Sequence, residues 1–154
     1  MLLCAPPRSD ITLADFEHTL QINLRAPFIL TKSAVPGMLA ARWGRVVSVG
    51  SIAASGAGVN GCHYAASKGG LRSMMQNLAT RLGPAGITFN DVAPAMIAGT
   101  GMIPDEQAVP GVREQIPVGR LGAVEEVGEV VKMLVRTGYC TGQSILLAGG
   151  LPHH

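Results

Sequence analysis

Short β-branched runs separated by helix-length segments constrain this chain more than any other feature. Arg45–Val49, Ile87–Val92 and Ser144–Ala148 are apolar and brief, and Gly or Pro follows each closely, so they read as strands. Between the first two, Tyr64–Leu82 carries Leu71, Met75, Leu78 and Leu82 at helical spacing and stops at Gly83-Pro84. Glu125–Val135 repeats the pattern with Val127, Val130, Val131 and Leu134. Ahead of the first strand, Phe16, Leu20, Leu24 and Phe28 follow in steps of four, behind Thr12 and Asp15, which resemble a capping box with Asp in place of Glu. Pro27 and Pro36 are expected to kink or divide that helix. Strands alternating with helices imply an α/β fold with a parallel sheet of about three strands and helices on both faces.

Composition narrows the class. The 154 residues suffice for one domain, here 1–154, and 47% hydrophobic against 14% charged residues describes a globular chain. The net charge of +2 comes from scattered basic residues, so no nucleic-acid partner is expected. No apolar run approaches the ~18–20 residues of a membrane span. The start, MLLCAPPRSD, has Pro6-Pro7 against a helix and lacks the features of a signal peptide. Cys4, Cys62 and Cys140 show no CxxC spacing and read as free thiols of a reducing, cytoplasmic compartment. His18, His63, His153 and His154 have no metal-ligand spacing, so no metal is expected.

Chemistry concentrates between Ser51 and Lys68, in SIAASGAGVNGCHYAASK. Tyr64 and Lys68 are four apart and share one face of a helix. Ser51 follows the first strand, at the sheet edge where open α/β folds bind ligands. A free phenol ionises near pH ~10. An ammonium about 5 Å away, at an effective dielectric of about 20, is worth roughly 3 kcal/mol, or about two pKa units. Such a pair suits acid–base chemistry, with Ser51 bonding a substrate carbonyl and Asn23 holding a water that relays protons to Lys68. Gly56-Ala57-Gly58-Val59-Asn60-Gly61 matches GxGxxG, but the helix is expected to begin only near Tyr64, and Arg81 stands where an acidic ribose ligand belongs. It reads as a flexible substrate loop. Ala65, Ala66, Gly69 and Gly70 are expected to let another helix approach closely. Residues 95–120 hold Pro104, Pro110 and Pro117, and a loop this long is expected to be a lid, a binding loop or disordered.

The stretches INLRAPF (Ile22–Phe28), GRVVSVGSIA (Gly44–Ala53), YAASKGGL (Tyr64–Leu71), GITFNDVAPAMI (Gly86–Ile97) and TGQSILLAGG (Thr141–Gly150) resemble the short-chain dehydrogenase/reductase family. They are most similar to its 3-oxoacyl-carrier-protein reductase-like members. The resemblance implies the C-terminal part of a Rossmann-like doubly wound sheet. It implies a catalytic tetrad of Asn23, Ser51, Tyr64 and Lys68, with Tyr64 and Lys68 also on the nicotinamide ribose. It further implies carboxamide contacts from Pro94, Ile97 and Thr100, and a small carbonyl or alcohol substrate.

Departures accompany the match. Before residue 11 the sequence shows no strand with a Gly-rich turn and no Asn-Asn-Ala-Gly stretch. NAD(P)H is therefore expected to bind weakly or not at all, since pyrophosphate sites use such turns. Ala95 replaces the usual Gly, Asp91 the usual uncharged residue, and Thr100 stands one place late. The strand at Arg45–Val49 is expected to present an open edge that a second copy of the chain covers. Two further functions remain open: a cofactor-independent dehydratase or isomerase using the same Tyr–Lys pair, and a non-catalytic remnant.

Overall fold

The computed structural model describes residues 11–56, 60–103 and 105–151. Cys4, Pro6-Pro7, the Ala57–Val59 part of the GxGxxG match, Pro104, His153 and His154 lie outside the described residues.

Helix α1 (Leu13–Leu20) opens on the expected capping box: Thr12 accepts from the Asp15 N–H, and the Asp15 carboxylate accepts from the Thr12 N–H. Each satisfies a backbone donor that a helix start otherwise leaves unpaired. A π-helical turn, Gln21–Arg25, then runs directly into α2 (Ala26–Ala41). The prolines do not divide the helix. Pro27 sits in the first turn of α2, and its missing N–H deprives the carbonyl four residues back, that of Asn23. The wider turn absorbs this locally. Pro36 lies inside α2 on an exposed stretch, where Lys32, four residues back, is exposed and its carbonyl can turn to water.

Strands β1 (Gly44–Val49), β2 (Ile87–Pro94) and β3 (Ser144–Leu147) form a parallel sheet in the order β1-β2-β3. Gly44 faces Ile87 at one end, and Pro94 faces Leu147 at the other. Between β1 and β2 stands α3 (Cys62–Leu82), which begins two residues before Tyr64; α4 (Val124–Arg136) precedes β3. Side chains alternate across β2. Ile87 and Phe89 pack with Leu71, Met75 and Ala79 of α3, and Val35 and Met38 of α2 close over the same cluster. The opposite face carries α4, where the Arg45 guanidinium donates to the Val135 carbonyl. Ile87 to Ala93 are all buried, so the middle strand is the core of the molecule.

β1 hydrogen-bonds to β2 alone among the described strands and forms an edge, as expected. Phe28, Leu30, Trp43 and Val49 are exposed along that side. The long loop is ordered in its second half. Val112, Ile116 and Leu121 are buried against Ala148 and Leu151, so its second half is a packed satellite core, with short 3-10 turns at Glu106–Ala108 and Arg113–Gln115. The small residues of α3 meet the chain's own segments: a Cβ on Gly70 would lie 3.0 Å from the Leu24 side chain, and one on Gly69 3.4 Å from the Ala54 carbonyl.

At the start of α4, Glu126 accepts from the Arg120 guanidinium through both oxygens and from the Ala123 N–H. The hydrogen bonds from Arg120, then that from Ala123, hold its pKa down to about 2. A carboxylate depressed on folding stabilises fully above its unfolded pKa of ~4.3, and that stabilisation is lost as pH falls below it. Thermal melts of the native chain and of Glu126→Gln should differ in favour of the native chain at pH 6, with the gap closing toward pH 2.5. A gap independent of pH would contradict the assignment.

Candidate active site

The C-terminal ends of β1 and β2, the start of α3 and the π-helical turn bring the expected residues to one edge of the sheet. Tyr64 and Lys68 lie on successive turns of α3, and the Lys68 ammonium sits 5.6 Å from the centre of the Tyr64 ring. Its Nζ donates to the carbonyl of Val49, the last residue of β1, at 2.8 Å. Burial lowers the Lys68 pKa, and the negative charge of Asp91 partly offsets that. The lysine is thus pinned to the strand end, one helical turn from the phenol.

Ser51 is buried just past β1, and its hydroxyl accepts from the Ala53 N–H to cap a 3-10 turn, Ile52–Ser55. That turn is stitched to α3 by a bond from Arg72 to the Ser55 hydroxyl, 3.0 Å. Asn23 reaches α3 at Ser67. Its amide donates to Ser67 at 3.1 Å, and Ser67 in turn donates to the Tyr64 carbonyl at 2.7 Å. Ser67 is fully buried. It escaped the sequence reading because Ser in a helix is ordinarily a solvated residue; the signal was its position three after Tyr64, on the face turned to Asn23. His63, beside Tyr64, keeps its buried Nδ1 without a hydrogen-bond partner among the described residues.

Pro94 ends β2, and the chain turns through Met96, which adopts a left-handed conformation (φ 53°). Ile97 then bridges to Gly122, where a Cβ would lie 2.5 Å from its Cδ1, so a larger residue there would make the end of the Ile97 side chain move. Thr100 is used locally: its hydroxyl donates to the Ile97 carbonyl and accepts from the Ile103 N–H. A cleft of about 290 Å³ opens beside this loop, lined by Ile97, Ile116, Val118 and Leu147 among others but not by Tyr64 or Lys68. The GxGxxG match ends at Gly61, the N-cap of α3, so the helix opens after the motif rather than within it. The described residues hold no cluster of His, Cys, Asp and Glu suited to a metal.

A parallel three-stranded sheet flanked by helices, with a Tyr–Lys pair at the strand ends, defines an α/β protein of Rossmann-like topology, and comparison with known proteins names its family. A family profile described as enoyl-(acyl carrier protein) reductase matches residues 4–152. The 3-oxoacyl-[acyl-carrier-protein] reductase FabG of Aquifex aeolicus is 35% identical over 145 residues, 92% of this chain and 58% of that protein. Its counterpart from Pseudomonas aeruginosa is 38% identical over 133 residues, 84% of this chain and 53% of that protein. A crystal structure of a 3-oxoacyl-[acyl-carrier protein] reductase from Brucella melitensis with bound NAD superposes with a TM-score of 0.84 at 32% identity, covering 96% of this chain and 56% of that one. A solved dehalogenation enzyme superposes with a TM-score of 0.85 at 29% identity, covering 94% of this chain and 62% of that one. The chain belongs to the short-chain dehydrogenase/reductase family, on its oxidoreductase branch with the FabG reductases. It spans a little over half the length of these relatives.

The bond from Asn23 to Ser67 joins the π-helical turn to α3. Asn23→Ala should lower stability by about 0.5–1.5 kcal/mol, the usual net worth of such a bond. The change is read as a shift of the urea midpoint; an unmoved midpoint would show that the contact does not hold the two elements together.

Proposed function

We propose that this chain is an oxidoreductase of carbonyl or alcohol substrates, with Tyr64 as the group that gives or takes the proton. The observation that carries this reading is the Lys68 ammonium, fixed on the Val49 carbonyl one helical turn from the phenol. An ammonium has three donors. One is spent on Val49, which leaves two for the vicinal hydroxyls of a nicotinamide ribose. The residues therefore fit the nicotinamide end of NAD(P)H, with Tyr64 and Lys68 on the ribose and Pro94, Ile97 and Thr100 around the carboxamide. When bound, such a cofactor supplies the hydride. Ser51 orients the substrate oxygen and Tyr64 protonates it. Asn23, through Ser67, keeps the Tyr64 turn of α3 in place.

A 3-oxoacyl relative reduces a ketone, which favours a carbonyl over the carbon–carbon double bond that an enoyl substrate offers. The apolar loops at 52–63 and 95–120 favour a small or medium apolar substrate. We further propose that residues 1–154 act as one domain, that a second copy covers the β1 edge and the exposed side chains of α2, and that the chain works in the cytoplasm, where Cys62 and Cys140 stay reduced. No helix among the described residues is long and apolar enough to cross a membrane.

A second reading has support of its own. The dehalogenation enzyme shares this fold, so the fold hosts more than one chemistry. The same Tyr64–Lys68 pair can also serve a cofactor-free elimination or isomerisation, with the phenol as the acid–base group. Titration with NADH and NADPH, followed by nicotinamide fluorescence, separates the two. Saturation below millimolar cofactor is expected for the oxidoreductase. No binding up to millimolar would overturn hydride transfer by this chain. Light scattering on the same micromolar sample should give at least a dimer, and a monodisperse monomer would contradict the second copy.

A further inference from the structure

A carboxylate lies where a parallel sheet ordinarily carries an apolar residue. Asp91 stands on the middle strand, 1% exposed, on the face that carries α3. In register it faces Ser48 on β1 and Ser144 on β3, forming one polar row across all three strands. Ser48 donates to Oδ1 at 2.9 Å and Ser144 donates to Oδ2 at 2.8 Å. The carboxylate also occupies the space of a missing side chain: a Cβ on Gly50 would fall within van der Waals overlap of both its oxygens. Gly50 and the two serines are thus fitted to an acidic residue, which argues that its presence is built into the site.

Two neutral hydroxyls fill only part of the acceptor capacity of a carboxylate and supply no positive charge. Buried charges are ordinarily paired. Among the described residues, Lys68 brings a cation to this end of the sheet, its ammonium anchored on Val49, the residue between Ser48 and Gly50, while Arg81 further along α3 is bonded to Asn77. The neighbouring groups offer no substitute. Arg72 of α3 is bound to Ser55. Arg45 of β1 points to the opposite face with α4, which carries Glu125, Glu126, Glu129, Lys132 and Arg136. β3 has no charged residue. Tyr64 lies one turn along α3 and His63 beside it. The field of Asp91 acts on Lys68 in the sense that favours the ammonium.

We propose that Asp91, held by Ser48 and Ser144, is a positioning residue that serves as the buried counter-charge of Lys68 and keeps its ammonium charged and fixed beside Tyr64. This rests on the reading of Tyr64 and Lys68 as the reacting pair. It adds a device beneath that pair, reached through the sheet rather than through the substrate side.

The test is a direct titration of Lys68. The chain contains three lysines, Lys32, Lys68 and Lys132, so the 13Cε resonances of lysine-labelled protein resolve them. Asp91→Asn keeps the shape of the side chain and removes its charge. The Lys68 titration should move further down in the variant, while those of the exposed Lys32 and Lys132 stay in place. A Lys68 titration that is unchanged or raised would overturn the proposal, because a merely structural carboxyl moves no distant pKa. Should Asp91→Asn fail to fold, the Asp91 carboxyl carbon of the native chain answers the same question. A resonance that shifts as Lys68 loses its proton supports the pairing; one unmoved across that titration overturns it. The readout involves no turnover, so a negative result here leaves the oxidoreductase reading to its own cofactor titration.

Discussion

The packing of α3 on the middle strand is the contact on which everything else rests. Leu71, Met75 and Ala79 bury against Ile87 and Phe89, and full burial of each larger apolar side chain is worth roughly 1.5–3 kcal/mol. That seam sets the rotation of α3 about its axis. Once Leu71 and Met75 face the sheet, Lys68 is carried over the end of β1 and Tyr64 to the edge beyond it. The site is therefore a consequence of core packing one and two turns further along the same helix. The π-helical turn extends this logic: Leu24 packs onto Gly70 and Asn23 reaches Ser67, so the third approach to Tyr64 is fixed by close contact at small residues.

Where one physical rule dominated locally, the chain was legible. The strands, the capping box at Thr12 and Asp15 and the apolar stripe of α3 all followed from periodicity and short-range chemistry, while the open edge of β1 followed from the family resemblance. Tyr64 and Lys68 share a helix face because their spacing demands it. Failures came where distant residues decide. Of the two prolines expected to kink or divide the first helix, Pro27 does follow a π-helical turn between α1 and α2, whereas Pro36 is carried inside α2 on an exposed stretch. For residues 95–120 the sequence left a lid, a binding loop and disorder open, because the burial of Val112 and Ile116 depends on Ala148 and Leu151, far along the chain. Ser67 and the Val49 carbonyl were invisible as partners, since backbone carbonyls leave no mark in a sequence.

The fold leaves the reaction open, while the site narrows it. Relatives described as 3-oxoacyl reductases and a dehalogenation enzyme share this architecture, so function must be argued from Tyr64, Lys68 and their surroundings. The lysine is pulled down by burial and pulled back by Asp91, a balance that a sheet of purely apolar residues would not provide. Gly50, Ser48 and Ser144 are each shaped to that carboxylate. The chemistry of the edge is thus tuned from the middle of the sheet.

The central claim is that the Tyr64 phenol moves the proton in a carbonyl reduction. Its most direct test is the steady-state reduction of a small 3-oxoacyl thioester at millimolar NADPH or NADH, by the native chain and by Tyr64→Phe of matched far-ultraviolet circular dichroism. A positioned acid–base group contributes typically 10²–10⁴-fold, so the variant should lose about that factor in kcat/KM. Equal turnover by the two proteins, or none by the native chain, would contradict the account.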